Sequence, residues 1–170
     1  MKLAQCIILD LLKDYDPVPL LPETCNFHFS GVQLLDQDNP TDDPSILYIG
    51  TTTQISSFNT EKLKDFCIIC IGKKEDVSSY IENYQANLIL IPENHSLASV
   101  VNTLYTGFHR ILRWDAELQN AILSKQNYQS LFSIGGRFFG KNVMLMVNSS
   151  YNVIGANLLE APVHEKLDSF

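Results

Sequence analysis

CIICIGKKEDVSSYIENYQANLILIP, Cys67 to Pro92, places two short apolar runs, CIICIG and NLILIP, on either side of the polar, helix-like EDVSSYIENY. A strand with one face in water alternates apolar and polar residues, whereas a run that is apolar at every position needs cover on both faces. Parallel sheets flanked by helices meet that condition. A third run of the same kind, ILYIG at 46–50, is followed by a polar helical piece ending in EKLKDF, so strand and helix signals alternate from 46 to 92. Right-handed crossovers would lay those helices over the sheet. The expected fold class is α/β: a small, largely parallel sheet with flanking helices over residues 1–95. The order of the strands cannot be read from these runs.

Upstream, MKLAQCIILDLLKDYDP opens with one lysine and an apolar stretch, as a secretory leader would. Asp10, Lys13 and Asp14 interrupt it too early and no small-residue cleavage site follows, so it reads as an amphipathic helix ended by Pro17. PVPLLPE reads as a proline-rich connection, NFHFSGVQLL as an alternating strand segment, and DQDNPTDDPS as an acidic loop leading into ILYIG. No segment approaches the roughly 18 apolar residues of a membrane span, and a cytoplasmic location is expected. Cys6, Cys25, Cys67 and Cys70 all lie in apolar runs. Cys67 and Cys70 have CxxC spacing, but strand residues three apart point to opposite faces, so their sulfurs could not share one metal. All four are expected to be free thiols packed as small apolar groups.

Downstream, Ser96 is the expected N-cap of a helix over 97–123, roughly 40 Å long at about 1.5 Å per residue. Its apolar row, Leu97, Val101, Leu104, Phe108, Ile111, Leu118 and Ile122, keeps heptad spacing and skips only Asp115. Strands of five or six residues span only about 20 Å, so part of this helix needs another surface. Either its second half packs on the residues that follow, or it pairs with the same helix of a second chain. In the paired case the seam is Val101, Leu104, Phe108, Ile111, Asp115, Leu118 and Ile122, with Asp115 fixing the register, and the chain is a homodimer. The helix and its exit, 96–127, form a connector. SKQNYQSLFSIGGRFFGKN then reads as a short helix ended at Gly135-Gly136, and VMLMV and YNVIGAN flank the turn at 148–150 as a β-hairpin. A lone hairpin is marginal in water, so 128–170 reads as a truncated second domain.

The composition, 45% hydrophobic and 18% charged over 170 residues, suffices for one good core or two small ones. A formal charge of −7 with no basic stripe argues against direct nucleic-acid binding by these residues.

The LLKDY-like opening helix, the DPSILYIG strand entry, the LILIPENHSLASVVNTL transition, the helix carrying RWDAELQNAIL and the VMLMVNSSYNVIGAN hairpin together resemble the N-terminal region of PucR-family regulators. The resemblance covers essentially the whole chain and rests on segment order and the RWDAEL stretch, not on catalytic residues. It implies a leading α/β domain, a connector and dimerising helix, and the start of a GAF- or PAS-like domain. In the family, DNA is bound by a later helix-turn-helix, which has no counterpart here. The implied role is a sensory, dimerising segment with a small-molecule effector, reaching DNA only through that further domain; from the residues themselves no cofactor and no membrane partner is expected.

No GxSxG, HExxH, Walker-type loop or GxGxxG following a strand is present. His28, His95, His109 and His164 have no metal-ligand spacing, and no metal site is expected. The most suggestive local feature is YIGTTT. Ligands of open parallel sheets collect outside the carboxyl ends of the strands, where Gly50, Thr51, Thr52 and Thr53 would stand. Gly72 with Lys73, and Glu93 with Asn94, occupy the equivalent ends of the next two strands, so the three could form one polar rim. The plainer reading is loop chemistry, glycine to turn and threonine to cap the next helix. IGGRFFG lacks a preceding strand and reads as a connector, not a phosphate cradle. Three classes follow: a non-catalytic regulator segment, a small α/β ligand- or nucleotide-binding protein or enzyme using the strand-end loop, and an interaction module without a ligand.

Overall fold

A computed structural model of the chain describes residues 2–21, 27–36, 43–56, 64–139, 144–147, 149 and 153–157. Cys25, His164, the acidic stretch 37–42, the beginning of EKLKDF and the tail after 157 lie outside the described residues. Two compact units are present, residues 1–109 and 110–170.

The first unit opens with β1 (Leu3–Ala4), α1 (Gln5–Leu11), a 3-10 turn over Lys13–Tyr15 and β2 (Val18–Leu20). Next come β3 (His28–Phe29), β4 (Gly31–Leu34), β5 (Ile46–Thr51), α2 (Thr52–Ser56), β6 (Cys67–Ile71), α3 (Lys74–Tyr84) and β7 (Asn87–Ile91). Five strands form one sheet in the order β2-β7-β6-β5-β4. The four from β4 to β7 are parallel, in register Val32↔Leu47, Gly50↔Cys70 and Cys70↔Leu90. The fold is thus the expected mixed α/β class with a mostly parallel sheet.

Two upstream expectations need correction. PVPLLPE is not merely a connection: Val18–Leu20 pairs antiparallel with β7, Pro19 opposite Ile89. An edge strand donates N–H groups to one side only, so a proline that spoils a central strand is tolerated there. NFHFSGVQLL is not one strand either. Ser30 bends the chain, so β3 pairs antiparallel with β1 while β4 joins the parallel sheet.

Both faces of the central strands are buried, as continuous apolar runs require. On one face Tyr48, Ile68, Cys70, Leu88 and Leu90 pack with Ile55 of α2 and Val77 of α3. Alternation sends Leu47, Ile49, Cys67, Ile69, Ile71, Ile89 and Ile91 to the other face, and all seven are buried. Each fully buried Ile or Leu contributes about 1.5–3 kcal/mol, so the three strands dominate this unit's stability. Asn87 is buried beside them, and its Nδ2 donates to the Lys64 carbonyl at 2.7 Å.

The long helix α4 (Leu97–Leu123) starts in the first unit, and the unit boundary falls between its His109 and Arg110. Ser96 caps it as expected, its Oγ accepting the Ser99 N–H at 3.2 Å. The Tyr15 hydroxyl lies 2.8 Å from both Ser99 Oγ and Thr103 Oγ1, and Tyr105 Oη donates to the Val32 carbonyl at 3.0 Å. At Gly107 a Cβ would lie 2.6 Å from Leu11 Cδ1, so glycine is what lets α4 approach α1 this closely.

In the second unit α4 ends in a left-handed residue, Lys125 (φ 51°). Gln126 N–H donates to Ala121 O and Lys125 N–H to Ile122 O, both at 3.0 Å, the paired bonds of a Schellman cap. Asn127 Oδ1 then accepts the Ser130 N–H at 3.0 Å and starts α5 (Tyr128–Phe139). Contrary to expectation, α5 does not stop at Gly135-Gly136: both glycines lie inside it and are buried. Two glycines cost helix stability only about 1 kcal/mol each, which burial of the surrounding helix face can offset. The expected hairpin follows as β8 (Met144–Val147) and β9 (Val153–Asn157), antiparallel with an irregularity at Met146/Val147, and α5 packs against β9.

Candidate functional site

The residues proposed for a strand-end rim come together, but in the service of local structure. Thr51–Gln54 has the T-x-x-Q spacing of a capping box, and Gln54 Oε1 makes the reach-back bond, accepting the Thr51 backbone N–H at 2.8 Å. Thr51 Oγ1 lies 2.9 Å from Thr53 Oγ1 and donates to Gln54 Oε1 at 3.3 Å, while Gln54 Nε2 donates to the Leu35 carbonyl. Gln54, absent from the sequence-based site, organises this end of the sheet. Gly50 and Gly72 sit against side chains: a Cβ at 50 would lie 2.6 Å from Leu35 Cδ1 and one at 72 would lie 2.3 Å from Thr52 Cγ2, so a larger residue would have to displace them. Lys73 Nζ and Glu93 Oε1, 3.4 Å apart, link the β6 and β7 ends as an exposed ion pair, with Asn94 exposed in the next turn.

Strand order weakens the case for a ligand there. Crevices at the carboxyl ends of parallel strands open where the order reverses and successive connections leave on opposite faces. Here β4, β5, β6 and β7 lie side by side in chain order, with no reversal among them.

Along α4, Leu104, Phe108 and Ile111 of the expected seam are buried within the chain itself. Val101, Asp115 and Leu118 are half-buried, and Asp115 Oδ2 accepts from Gln119 Nε2 at 3.0 Å in the same helix. Ile122 is 61% exposed, as are Leu112 (42%), Tyr105 (52%) and Leu123 (79%). Tyr105, Leu112 and Leu123 are spaced by seven and eleven, close to whole turns, and share one stripe. The accessible apolar stripe therefore lies one position beyond the heptad row read from the sequence. Periodicity identifies an apolar face but does not say which part of it the chain covers.

A second cluster was not assembled by sequence reasoning. Trp114 of α4 stacks on Phe138 of α5, with ring centroids 4.3 Å apart and planes 20° apart. Glu117 accepts from Arg113 Nε at 3.1 Å and from Arg137 Nη2 at 3.3 Å. The Arg110 guanidinium sits 5.4 Å from the Phe138 ring centroid. These residues and Ile134 line an open pocket of about 210 Å³. The sequence signal was half present, because RWDAE puts Arg113, Trp114 and Glu117 on one helix, but Arg137 and Phe138 lie some twenty residues away.

Among the described residues, no three His, Cys, Asp or Glu side chains group as a metal site, and no helix is long and apolar enough to cross a membrane. His28 and His109 are exposed, and His95 meets Tyr15 edge-on at 5.0 Å.

Fold and cluster together define a mixed α/β protein with a long helix running into a second, smaller unit. Comparison with protein-family models, curated proteins and solved structures finds no match to this chain.

Proposed function

We propose that this chain is a non-catalytic sensory and pairing segment of a bacterial transcription regulator of the PucR kind, with DNA contacted by a region other than these residues. The observation that supports it is the exposed apolar stripe of α4, Tyr105, Leu112 and Leu123, flanked by Ile122. Its ends are eighteen residues apart, about 27 Å of helix, the form of surface that a second copy of the same helix covers by knobs-into-holes packing. An acidic chain of charge −7 has little affinity for a phosphate backbone, in keeping with a role apart from DNA contact. Light scattering on the full chain tests the pairing: the expected mass is about 38 kDa, twice the 19.2 kDa of one chain. A mass of one chain at high concentration removes it.

A further inference from the structure

The sequence contains three arginines against nine lysines. All three, Arg110, Arg113 and Arg137, line the 210 Å³ pocket beside Phe138 in the second unit, as does the only tryptophan, Trp114. Lysine supplies positive charge elsewhere on this chain; arginine adds a planar fork that matches a carboxylate and a flat face that stacks on aromatic rings. The chain thus concentrates its arginine where aromatic walls are also present.

The charges are unbalanced. Glu117 is shared between Arg113 and Arg137, and no carboxylate among the described residues lies within ion-pair distance of Arg110. Three guanidiniums against one carboxylate leave a positive spot on a chain of net charge −7. The Arg113 and Arg137 side chains are 77% and 70% exposed, and ion pairs so exposed are weak enough for an incoming anion to compete with Glu117. Trp114, Phe138 and Ile134 supply apolar wall, and the volume exceeds the roughly 150 Å³ of a cavity that accepts benzene.

We propose that this pocket binds a small aromatic carboxylate of the benzoate class. The carboxylate is held by Arg110 and Arg137, and the ring packs against Trp114, Phe138 and Ile134. The proposal deepens the sensory part of the function proposed above and rests on that part for its biological meaning. It names an effector class and locates its site in the second unit instead of at the strand ends.

Trp114 makes the test direct, because it is the only source of tryptophan fluorescence. Titration of the full chain with sodium benzoate should change that fluorescence saturably, with half-effect at about 1 mM or below. Arg137→Gln and Arg110→Gln should each weaken binding about tenfold or more, and Arg137→Lys should recover only part of it. Glu117→Gln, which removes the competing carboxylate, should tighten binding, and Lys73→Gln should leave it unchanged. Circular dichroism checks that each variant is folded, and the wild-type titration stands whether or not a variant folds. A linear, unsaturable change with benzoate overturns the proposal. Equal potency of inorganic phosphate or acetate overturns the aromatic assignment, and tight binding that survives Arg110→Gln with Arg137→Gln overturns the site. Light scattering reports pairing independently, so failure of the ligand and failure of the dimer are told apart.

Discussion

Cys67 and Cys70, three residues apart in β6, point to opposite faces, and both are buried. Cys70 packs with Ile55 and Val77. Burial pushes its thiol up from 9.0 to about 12, with the nearby Asp76 charge adding to the shift. The folded chain therefore holds this proton more tightly than the unfolded chain does. That contribution is fully present below about pH 9 and is lost as pH rises toward 12. Urea midpoints should fall between these limits, and the fall should be shallower in Cys70→Ala; an identical slope would remove Cys70 as the cause. The same burial predicts slow chemistry. Alkylation followed by peptide mapping should label exposed Cys6 quickly, and Cys67 and Cys70 only on unfolding.

Helix ends and helix crossings carry the predictions at the next scale. Lys125 closes α4 in the left-handed region, where a Cβ is crowded and glycine is at ease. Lys125→Gly should stabilise the chain by about 0.5–1 kcal/mol in urea denaturation. Gly107 has the opposite logic. In a free helix Gly→Ala gains about 1 kcal/mol, but here the added methyl group would meet both Leu11 methyls, at 2.6 and 2.7 Å. Gly107→Ala should therefore be neutral or destabilising, and Leu11→Ala in the same chain should restore the helix-propensity gain. A plain gain from Gly107→Ala alone would mean that α1 is not held against α4. Loss of the Ser96 cap, as Ser96→Ala, should cost about 1 kcal/mol by the same measurement.

At the scale of the molecule, pairing and folding are separable by which side of α4 is changed. Leu104, Phe108 and Ile111 are covered inside the chain, so charges there would damage the fold before they could report on a partner. Leu112→Glu with Leu123→Glu places charge on the exposed stripe instead. The expected outcome is a scattering mass near one chain, 19.2 kDa, with an unchanged circular dichroism spectrum. An undisturbed dimer would show that another surface holds the copies together.

Much of the fold was legible in the local pattern. CIICIG and NLILIP announce strands covered on both faces, Ser96 announces a helix start, and the apolar repeat from Leu97 announces a long helix. Each of these signals concerns burial periodicity or a hydrogen bond within about four residues, which neighbours in sequence determine. Strand order, the recruitment of Val18–Leu20 as an edge strand, the covered side of α4 and the meeting of Arg137 with Arg110 and Arg113 were decided only by tertiary structure. The reason is physical: which surfaces meet depends on the packing of segments far apart in the chain, and one apolar stripe is compatible with several covers until the rest of the chain has chosen among them.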